Sequence, residues 1–433
     1  MHTLKATFTR YVSLNIVGMI GLSCYILADT FFVAKALGAV GLAALNFSIS
    51  VFCVMHGVGL MLGIGGATLF SIGSASSDEE RGDVTFVHTL AAGAAVAAVC
   101  VVIGVFFTAP LGTALGADGT TLPLTQTYLK TILCFAPFFL CNDILLAFVR
   151  NDKNPRLCMI AMLVSSFANI VLDYVFMFPL SMGMFGAALA TGLSPIISLC
   201  ILAVHFKHKK QGFHVRRCAF RLSVTVRILS LGFSAFTGEL ASAISLITFN
   251  LVIGRLTGNI GVAAYGVVAN IALIATAMFV GIAQGLQPLA SRCRGEGDVR
   301  LTSQVLRYAL VTAAVLSLAL YVPVLLFSEE LVAAFNGEGN ARLGALAAEG
   351  LRLYFAGYLF AGVNIVAAAF LSAVGRARQS MLVASLRSCV VLVPVALAFA
   401  ALFGMTGVWL SFAAAECAVF VPSVLLLRTA QKA

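Results

Sequence analysis

The sequence predicts an all-α integral membrane protein of 12 transmembrane helices, in two six-helix bundles related by pseudo-two-fold symmetry. Of the 433 residues, 61% are hydrophobic and only 10% are charged, whereas a soluble domain is about a quarter charged. Apolar stretches of about 20 residues, the length that crosses a bilayer, recur along the whole chain. The second half of the chain also repeats the first. Together these observations predict a duplicated membrane protein.

The predicted helices are the apolar runs bounded by charge, Gly or Pro. Because a backbone in lipid must satisfy its own hydrogen bonds and the connections are short, α-helices are expected and a β-barrel is not. The predicted spans are 11–33, 46–72, 86–108, 127–149, 157–179, 185–206, 228–254, 261–289, 304–327, 351–374, 381–403 and 405–427. The predicted domains are an N-terminal lobe at 1–206, a cytoplasmic basic linker at 207–227 and a C-terminal lobe at 228–433.

The distribution of Lys and Arg predicts the orientation. An even number of spans puts both termini on one side, and that side holds 22 of the 27 basic residues, Arg387 among them. The positive-inside rule therefore predicts cytoplasmic termini in a plasma (inner) membrane protein. The linker contains KHKKQGFHVRRCAFR and is interpreted as a topology anchor, with binding of anionic lipid headgroups as the alternative. Because the basic residues do not form one face, nucleic acid is not an expected partner.

An internal duplication is visible at nearly constant spacing. A shift of 220 places KALGAVGLAAL at 35–45 over RLTGNIGVAAY at 255–265, and a shift of 221 places GMFG at 183–186 over GMTG at 404–407. A shift of 222 matches the ends of helices four and ten. Six spans in each half make a parallel repeat. We therefore expect a central cavity between the halves and alternating access by rocking of one half against the other.

Five acidic residues fall within spans and are expected to face protein or water. Each would cost roughly 2.5–3.5 kcal/mol at the bilayer centre on insertion scales. Asp143 is interpreted as a helix-packing or gating group, and His56 as a packing or pore residue. Glu239 and Glu416 are candidates for a second cation or a substrate contact. The five acids are Asp29, Asp143, Asp173, Glu239 and Glu416.

Asp29 and Asp173 are predicted to lie at similar depth, because helices one and five both run outward. Asn169 precedes Asp173 by four residues and shares its helical face, and Thr191 reaches a comparable level on helix six. Two carboxylates, an amide oxygen and a hydroxyl suit Na⁺, and paired acids could instead hold a proton. Both ions remain open, as does a purely structural role in polar packing between helices.

The second half lacks this polar set although it keeps the scaffold. Shifts of 220 and 221 place Phe249, Val390, Pro394 and Phe412 at the positions of Asp29, Asn169, Asp173 and Thr191.

The segment NIVLDYVFMFPLSMGMFGAALAT at 169–191 resembles the helix five to six signature of the multidrug and toxic compound extrusion (MATE) family. Asp29 with the following ALGAVGLAAL, FVRNDKNP at 148–155 and GLQPLASRCRGEGD at 285–298 support the resemblance. It implies export of drugs or cations driven by inward flow of Na⁺ or H⁺. It also implies a coupling cluster of Asp29, Asn169, Asp173 and Thr191, with Asn142 as a candidate cavity residue.

Two features depart from the family pattern. Helix one contains YVSLNIVGMIGLSCYILADTFFV and lacks the proline that permits bending in many members, although Gly18 and Gly21 could allow flexure. In the second half, Glu239 lies in helix seven, but helix ten carries Asn364, a candidate cavity residue, where some Na⁺-coupled members carry an acid. A first-half coupling site is therefore favoured.

Absent motifs narrow the function further. Without GxxxxGK[ST], HExxH or GxSxG, neither an ATP-driven pump nor an enzyme is expected, and no cofactor. Eleven cysteines without a CxxC pair indicate no disulfide framework. The alternatives are a lipid-linked oligosaccharide flippase, which would need cationic residues that these spans almost lack, and a channel. We expect a monomer with a small-molecule substrate and lipid contacts. The 33 Phe and 12 Met residues suit a cavity for lipophilic cations.

Overall fold

The computed structural model describes residues 2–75, 79–207, 212–216, 218–333 and 340–431. Within these ranges the regular structure is helical, without strands, which confirms the all-α prediction. Residues 208–211 and 217 of the predicted basic linker lie outside the described residues, as does Lys432. In chain order the helices are α1 (His2–Ala75), α2 (Glu79–Phe106), α3 (Thr108–Ala114), α4 (Leu122–Cys134), α5 (Ala136–Asn151), α6 (Pro155–Met177), α7 (Gly183–Leu202), α8 (Leu222–Gly295), α9 (Val299–Leu326), α10 (Ser328–Ala333), α11 (Ala341–Phe355), α12 (Tyr358–Ala373), α13 (Ala377–Ser385) and α14 (Leu392–Gln431).

The helices are long and apolar enough for a membrane protein. In the described ranges, nine helices are long and apolar enough to cross a membrane, and the number is 11 when each of two bent helix pairs is taken as one span. These pairs are α4 with α5, bent by 50°, and α11 with α12, bent by 46°. The 55-residue stretch Ala377–Gln431 is interrupted by non-helical backbone at Gly404. Dividing it there yields the 12 predicted spans.

The long helices break at equivalent glycines in the two halves. Gly38 in α1 has φ 63° and ψ −155°, and Gly258 in α8 has φ 66° and ψ −155°. Residues with a Cβ rarely adopt positive φ, so glycine is required for this turn. Two further pairs of residues with positive φ are related by shifts of 221 and 222. They are Gly183 with Gly404 and Lys153 with Gly375.

The chain forms two compact units. The N-unit comprises Val17–Phe236, and the C-unit comprises Met1–Ile16 together with Thr237–Ala433. Helices α1 and α8 therefore each begin in one unit and continue in the other. The sequence boundaries at 206 and 228 stay a prediction.

Each unit is held by buried apolar side chains. The N-unit has two core clusters, one around Phe86 and Phe148 and one around Tyr128 and Phe139. In the C-unit a single larger cluster includes Trp409, which is fully buried. These cores fix the helices that carry the polar groups described below.

Residues 212–216 and 218–221 of the linker form a strap on the N-unit, which the sequence did not predict. Phe213 is fully buried, and its ring centroid lies 4.6 Å from that of Phe86. The N–H of Gly212 donates to Asp152 Oδ2 at 2.9 Å, and the N–H of His214 donates to Asp83 Oδ1 at 2.7 Å. These buried aromatic and charge-assisted contacts hold the strap in place.

The motif FVRNDKNP forms the turn between α5 and α6. The side chain of Asn154 caps α6 by accepting from the N–H of Leu157 at 3.3 Å. Pro155 occupies the first turn of the helix, where its missing N–H costs nothing. The start of the helix that carries Asn169 and Asp173 is therefore set by local sequence.

Candidate ion-coupling site

Helices α6 and α7 bring three of the predicted coupling residues together. Asn169 and Asp173 lie one turn apart on α6, and both are fully buried. The side-chain amide of Asn169 is oriented so that both its nitrogen and its oxygen have hydrogen-bond partners. In this orientation the nitrogen donates to Asp173 Oδ2 at 3.1 Å. The oxygen then accepts from the backbone N–H of Thr191 at 3.3 Å. Asn169 thus joins a buried carboxylate to helix α7.

Asp29 approaches from α1, which packs closely on α6. A Cβ at Gly18 or Gly21 would meet Met162 Sδ at 3.0 Å or Leu163 Cδ2 at 2.7 Å. These two glycines therefore allow close packing in a segment whose backbone is helical up to Gly38. Asp29 is 7% exposed and lies within electrostatic range of Asp173.

The two carboxylates are incompletely satisfied. Within the described structure, Asp29 Oδ1 and Asp173 Oδ1 are buried without a hydrogen-bond partner. Burying such atoms is costly unless a donor or cation meets them. The same ranges hold no group of three or more His, Cys, Asp or Glu side chains that could bind a metal. The arrangement instead offers two carboxylates close to an amide and a hydroxyl, which fits a proton or a hard monovalent cation.

Tyr128 belongs to this cluster and was missed from the sequence. It lies on α4, is 4% exposed and is within electrostatic range of Asp29, Asp173 and Tyr25. The side-chain hydroxyl of Thr191 lies next to the hydroxyl of Tyr128. Tyr25 precedes Asp29 by four residues, so the same helical face carries both. A search of the predicted spans for tyrosines as well as acids could have found this pair.

Asp143 is paired with His56. Its Oδ2 lies 3.0 Å from His56 Nδ1, and Asp143 is 6% exposed. The neighbouring Asn142 has a buried Oδ1 without a hydrogen-bond partner among the described atoms. The gating role of Asp143 and the cavity role of Asn142 stay predictions.

Glu416 and Asn364 lie in a second polar cluster, in the C-unit. Arg387 Nη2 donates to Glu416 Oε1 at 2.7 Å, and Arg387 Nε lies 3.0 Å from Oε2. Asn364 Nδ2 donates to Glu416 Oε2 at 2.7 Å. Arg387 lies on a π-helical turn at Leu386–Val390, within the predicted span 381–403, and its place on the cytoplasmic side stays a prediction. The cavity roles of Glu416 and Asn364 stay predictions.

The C-unit has aromatic side chains at the positions equivalent to two of the predicted coupling residues, Asp29 and Thr191. Phe249, at the position of Asp29, is fully buried. Phe412, at the position of Thr191, stacks on Tyr354 with ring centroids 4.2 Å apart. Tyr354 also meets Phe249 edge-on at 5.8 Å. Glu239 lies half-buried on α8, and its role stays a prediction.

Comparison with known proteins identifies the family. The MatE family model matches residues 15–175 and 234–398, which is most of the chain. The chain belongs to the MatE family. The two matched segments begin 219 residues apart, in agreement with the internal duplication. Members of this family span membranes with many helices, so the protein is a multi-pass membrane protein.

Relatives and solved structures extend over nearly the whole chain. "Multidrug export protein MepA" of Staphylococcus saprophyticus is 26% identical over 388 residues, covering 89% of this chain and 85% of the relative. The MepA protein of Staphylococcus aureus is 24% identical over the same length and coverage. An outward-facing multidrug resistance MATE family transporter of the MOP superfamily has a TM-score of 0.93 at 23% identity, covering 99% of this chain and 96% of the other. A MOP superfamily transporter from Pyrococcus furiosus has a TM-score of 0.91 at 23% identity, with the same coverage. These structural likenesses establish the MATE fold.

Proposed function

We propose that this MatE protein is a secondary active antiporter. It exports drugs or other lipophilic or cationic small molecules in exchange for Na⁺ or H⁺, by alternating access between its two halves. The observation that carries the proposal is the pair Asp29 and Asp173, each with a buried oxygen that lacks a partner among the described atoms. The MepA relatives are multidrug export proteins, which supports the same activity.

The chemistry of coupling follows from the cost of buried charge. Two neighbouring carboxylates in a low-dielectric site repel each other, so a proton or Na⁺ stabilises the pair. Asn169 holds Asp173 by a donated hydrogen bond. A loaded site is more compatible with burial than an empty one, so loading can bias the conformation of the N-unit. Export is driven when the site binds the ion from the outside in one conformation and releases it to the inside in the opposite conformation.

Several finer features belong to the same proposal. The protein acts as a monomer in the plasma (inner) membrane, with both termini cytoplasmic, as the 22 to 5 distribution of basic residues predicts. A flippase for pyrophosphate-linked substrates is less well supported. Arg387, a cation within a span, is already bound to Glu416, so it offers no unpaired charge to a phosphate.

The test is transport of a fluorescent lipophilic cation by proteoliposomes under an imposed Na⁺ or H⁺ gradient. Asp29→Asn and Asp173→Asn should each lower gradient-driven transport about tenfold or more, because they remove ion-binding charge worth at least ~1.4 kcal/mol. Asn169→Ala should lower it less, since it only releases Asp173. Normal transport by both acid variants, or no efflux by the parent under either gradient, would contradict the proposal.

Asp118→Asn is the matched control for loss of a carboxylate. Asp118 lies exposed in the loop before α4, and hydrogen bonds from the backbone N–H of Thr121, and then from Thr120, lower the pKa of its carboxyl. It therefore stays ionised in the assay. Its neutral variant should transport like the parent.

A further inference from the structure

The His56–Asp143 pair is a buried titratable group that the coupling cluster does not include. His56 lies on α1 beyond the break at Gly38, and Asp143 lies on α5. Their Nδ1 and Oδ2 atoms are 3.0 Å apart, and the side chains are 19% and 6% exposed. Neither residue is sequence-adjacent to Asp29, Asn169, Asp173 or Thr191. The pair is therefore distinct in sequence from the predicted coupling residues.

Aromatic and glycine contacts enclose the pair. The Phe52 ring stacks on the His56 imidazole at 5.7 Å between centroids with a 9° interplanar angle, and Phe139 meets Phe52 edge-on. A Cβ at Gly59 would overlap Asp143 Oδ2, and a Cβ at Gly63 would lie 2.6 Å from the Asp143 carbonyl oxygen. Helix α1 thus lies directly on α5 at Gly59 and Gly63.

The charge of this pair depends on one proton. In the described structure, His56 is the ion-pair partner of Asp143, and the Cys141 thiol is another titratable group within its electrostatic range. Neutral His56 beside ionised Asp143 has a net charge of −1, and protonated His56 beside it has a net charge of zero. A single uncompensated charge in a buried site costs several kcal/mol, so the protonated pair is the less costly state.

Two other buried acids show what distinguishes this pair. Glu416 is bound to Arg387, a guanidinium that stays charged at any working pH, so no proton exchange is needed there. Asp152 pairs with His205 at 2.8 Å but also accepts from the Gly212 N–H in the strap. Among the described residues, Asp143 has neither a permanent cation nor a backbone donor within hydrogen-bond distance. The imidazole of His56 is the more exposed member of the pair, at 19% against 6% for Asp143.

We propose that His56 and Asp143 form a second proton-binding site of the N-unit, whose loading makes transport depend on pH independently of Asp29 and Asp173. The proton enters on an imidazole nitrogen of His56 and leaves from the same ring, while Asp143 remains the ionised partner that stabilises the imidazolium. The link to transport rests on the proposed antiport function. The proton-binding property does not.

Proton binding can be measured without transport. The chain has six histidines, so ¹⁵N-histidine NMR of the full-length protein gives few imidazole signals, and His56→Gln identifies the signal of His56 by its loss. That signal should titrate as one proton between about pH 5 and 9. In Asp143→Asn its midpoint should move to lower pH, because the anionic partner is gone. A signal that does not titrate, or that titrates identically in Asp143→Asn, overturns the proposal.

The transport measurement uses proteoliposomes with a fluorescent lipophilic cation at stepped internal pH. His56→Gln keeps a donor for Asp143 and should fold, as its melting temperature will verify. It should flatten the pH dependence of the transport rate, whereas His205→Gln, the matched change at the other His–Asp pair, should reproduce the parent profile. If the transport rate of His56→Gln has the same pH dependence as that of the parent protein, the link to transport is overturned. If the parent itself does not transport, the antiport function fails and the NMR titration alone decides on the proton site.

Discussion

Individual buried acids in this protein are each stabilised by a different partner. Asp173 accepts from a neutral amide, Asp143 from an imidazole and Glu416 from a guanidinium. A permanent cation removes the need for a mobile ion, whereas a neutral donor does not. The partner thus distinguishes the acids that we propose for ion exchange from the acid that we expect to be structural, which residue type alone cannot do.

The Arg387–Glu416 pair should be structural, and a charge-removal series can test this. Arg387→Met alone should destabilise the protein by about 3 kcal/mol, because it leaves a buried carboxylate uncompensated. Arg387→Met with Glu416→Met should recover most of that loss, because both charges are removed together. Thermal unfolding in detergent reports the stability of both variants. Equal melting temperatures for the single variant and the parent would contradict the buried pairing.

Transport separates this structural role from the predicted substrate role of Glu416. If Glu416 only stabilises the C-unit, the double methionine variant should retain transport of the lipophilic cation. Loss of transport in a double variant that is as stable as the parent would favour the substrate role.

Among the helices, the repeated backbone break is the clearest sign of duplication. Gly38 and Gly258 have φ and ψ values within a few degrees of each other at a spacing of 220 residues. A Cβ at either position would meet no atom within 4 Å. The requirement for glycine is therefore conformational and not steric.

Gly258→Ala should lower stability by roughly 1–3 kcal/mol, the cost of holding a residue with a Cβ at a positive φ with an extended ψ. Gly266→Ala is the matched control in α8, because its Cβ also meets no atom within 4 Å and its backbone is helical. The control should be neutral or slightly stabilising, since alanine favours a helix over glycine. Melting temperatures of the two variants test the difference, and equal values would contradict a conformational requirement at Gly258.

The linker strap also belongs to the scale of the structural element. Its basic residues suggested a connection on the membrane surface, yet Phe213 is buried and His88 Nε2 accepts from the Arg221 N–H at 2.8 Å. Outward from these contacts, Val215 and Phe220 are 73% and 66% exposed. Exposed apolar side chains beside arginines remain compatible with the predicted lipid contact.

For the molecule as a whole, the charge asymmetry predicts the orientation in the membrane. A fluorescent protein fused to the C-terminus should fold and fluoresce in the cytoplasm, and alkaline phosphatase fused there should be inactive, because it requires export. The same two reporters inserted in the loop at Asp118, on the side poor in basic residues, serve as the control and should give the opposite pattern. An active phosphatase at the C-terminus would reverse the predicted topology.

The sequence by itself determined that the chain is an integral membrane protein with 12 spans and an internal repeat. It also identified the acidic residues within spans that are candidates for function. Every span in lipid must be mainly apolar, and a turn with positive φ requires glycine. Both features can therefore be recognised within short stretches of sequence. Asp29 and Asp173 could be selected because charge in an apolar run is costly wherever the run packs.

Only the tertiary structure decided which residues meet. His56 and Asp143 are 87 residues apart, and Arg387 and Glu416 are 29 apart. Tyr128 joins Asp29 from a different helix, and the strap folds back onto α2 through Asp83. Such pairings depend on the rotation and packing of each helix, which hydropathy along the chain does not encode. The partner of each buried charge therefore came from the fold.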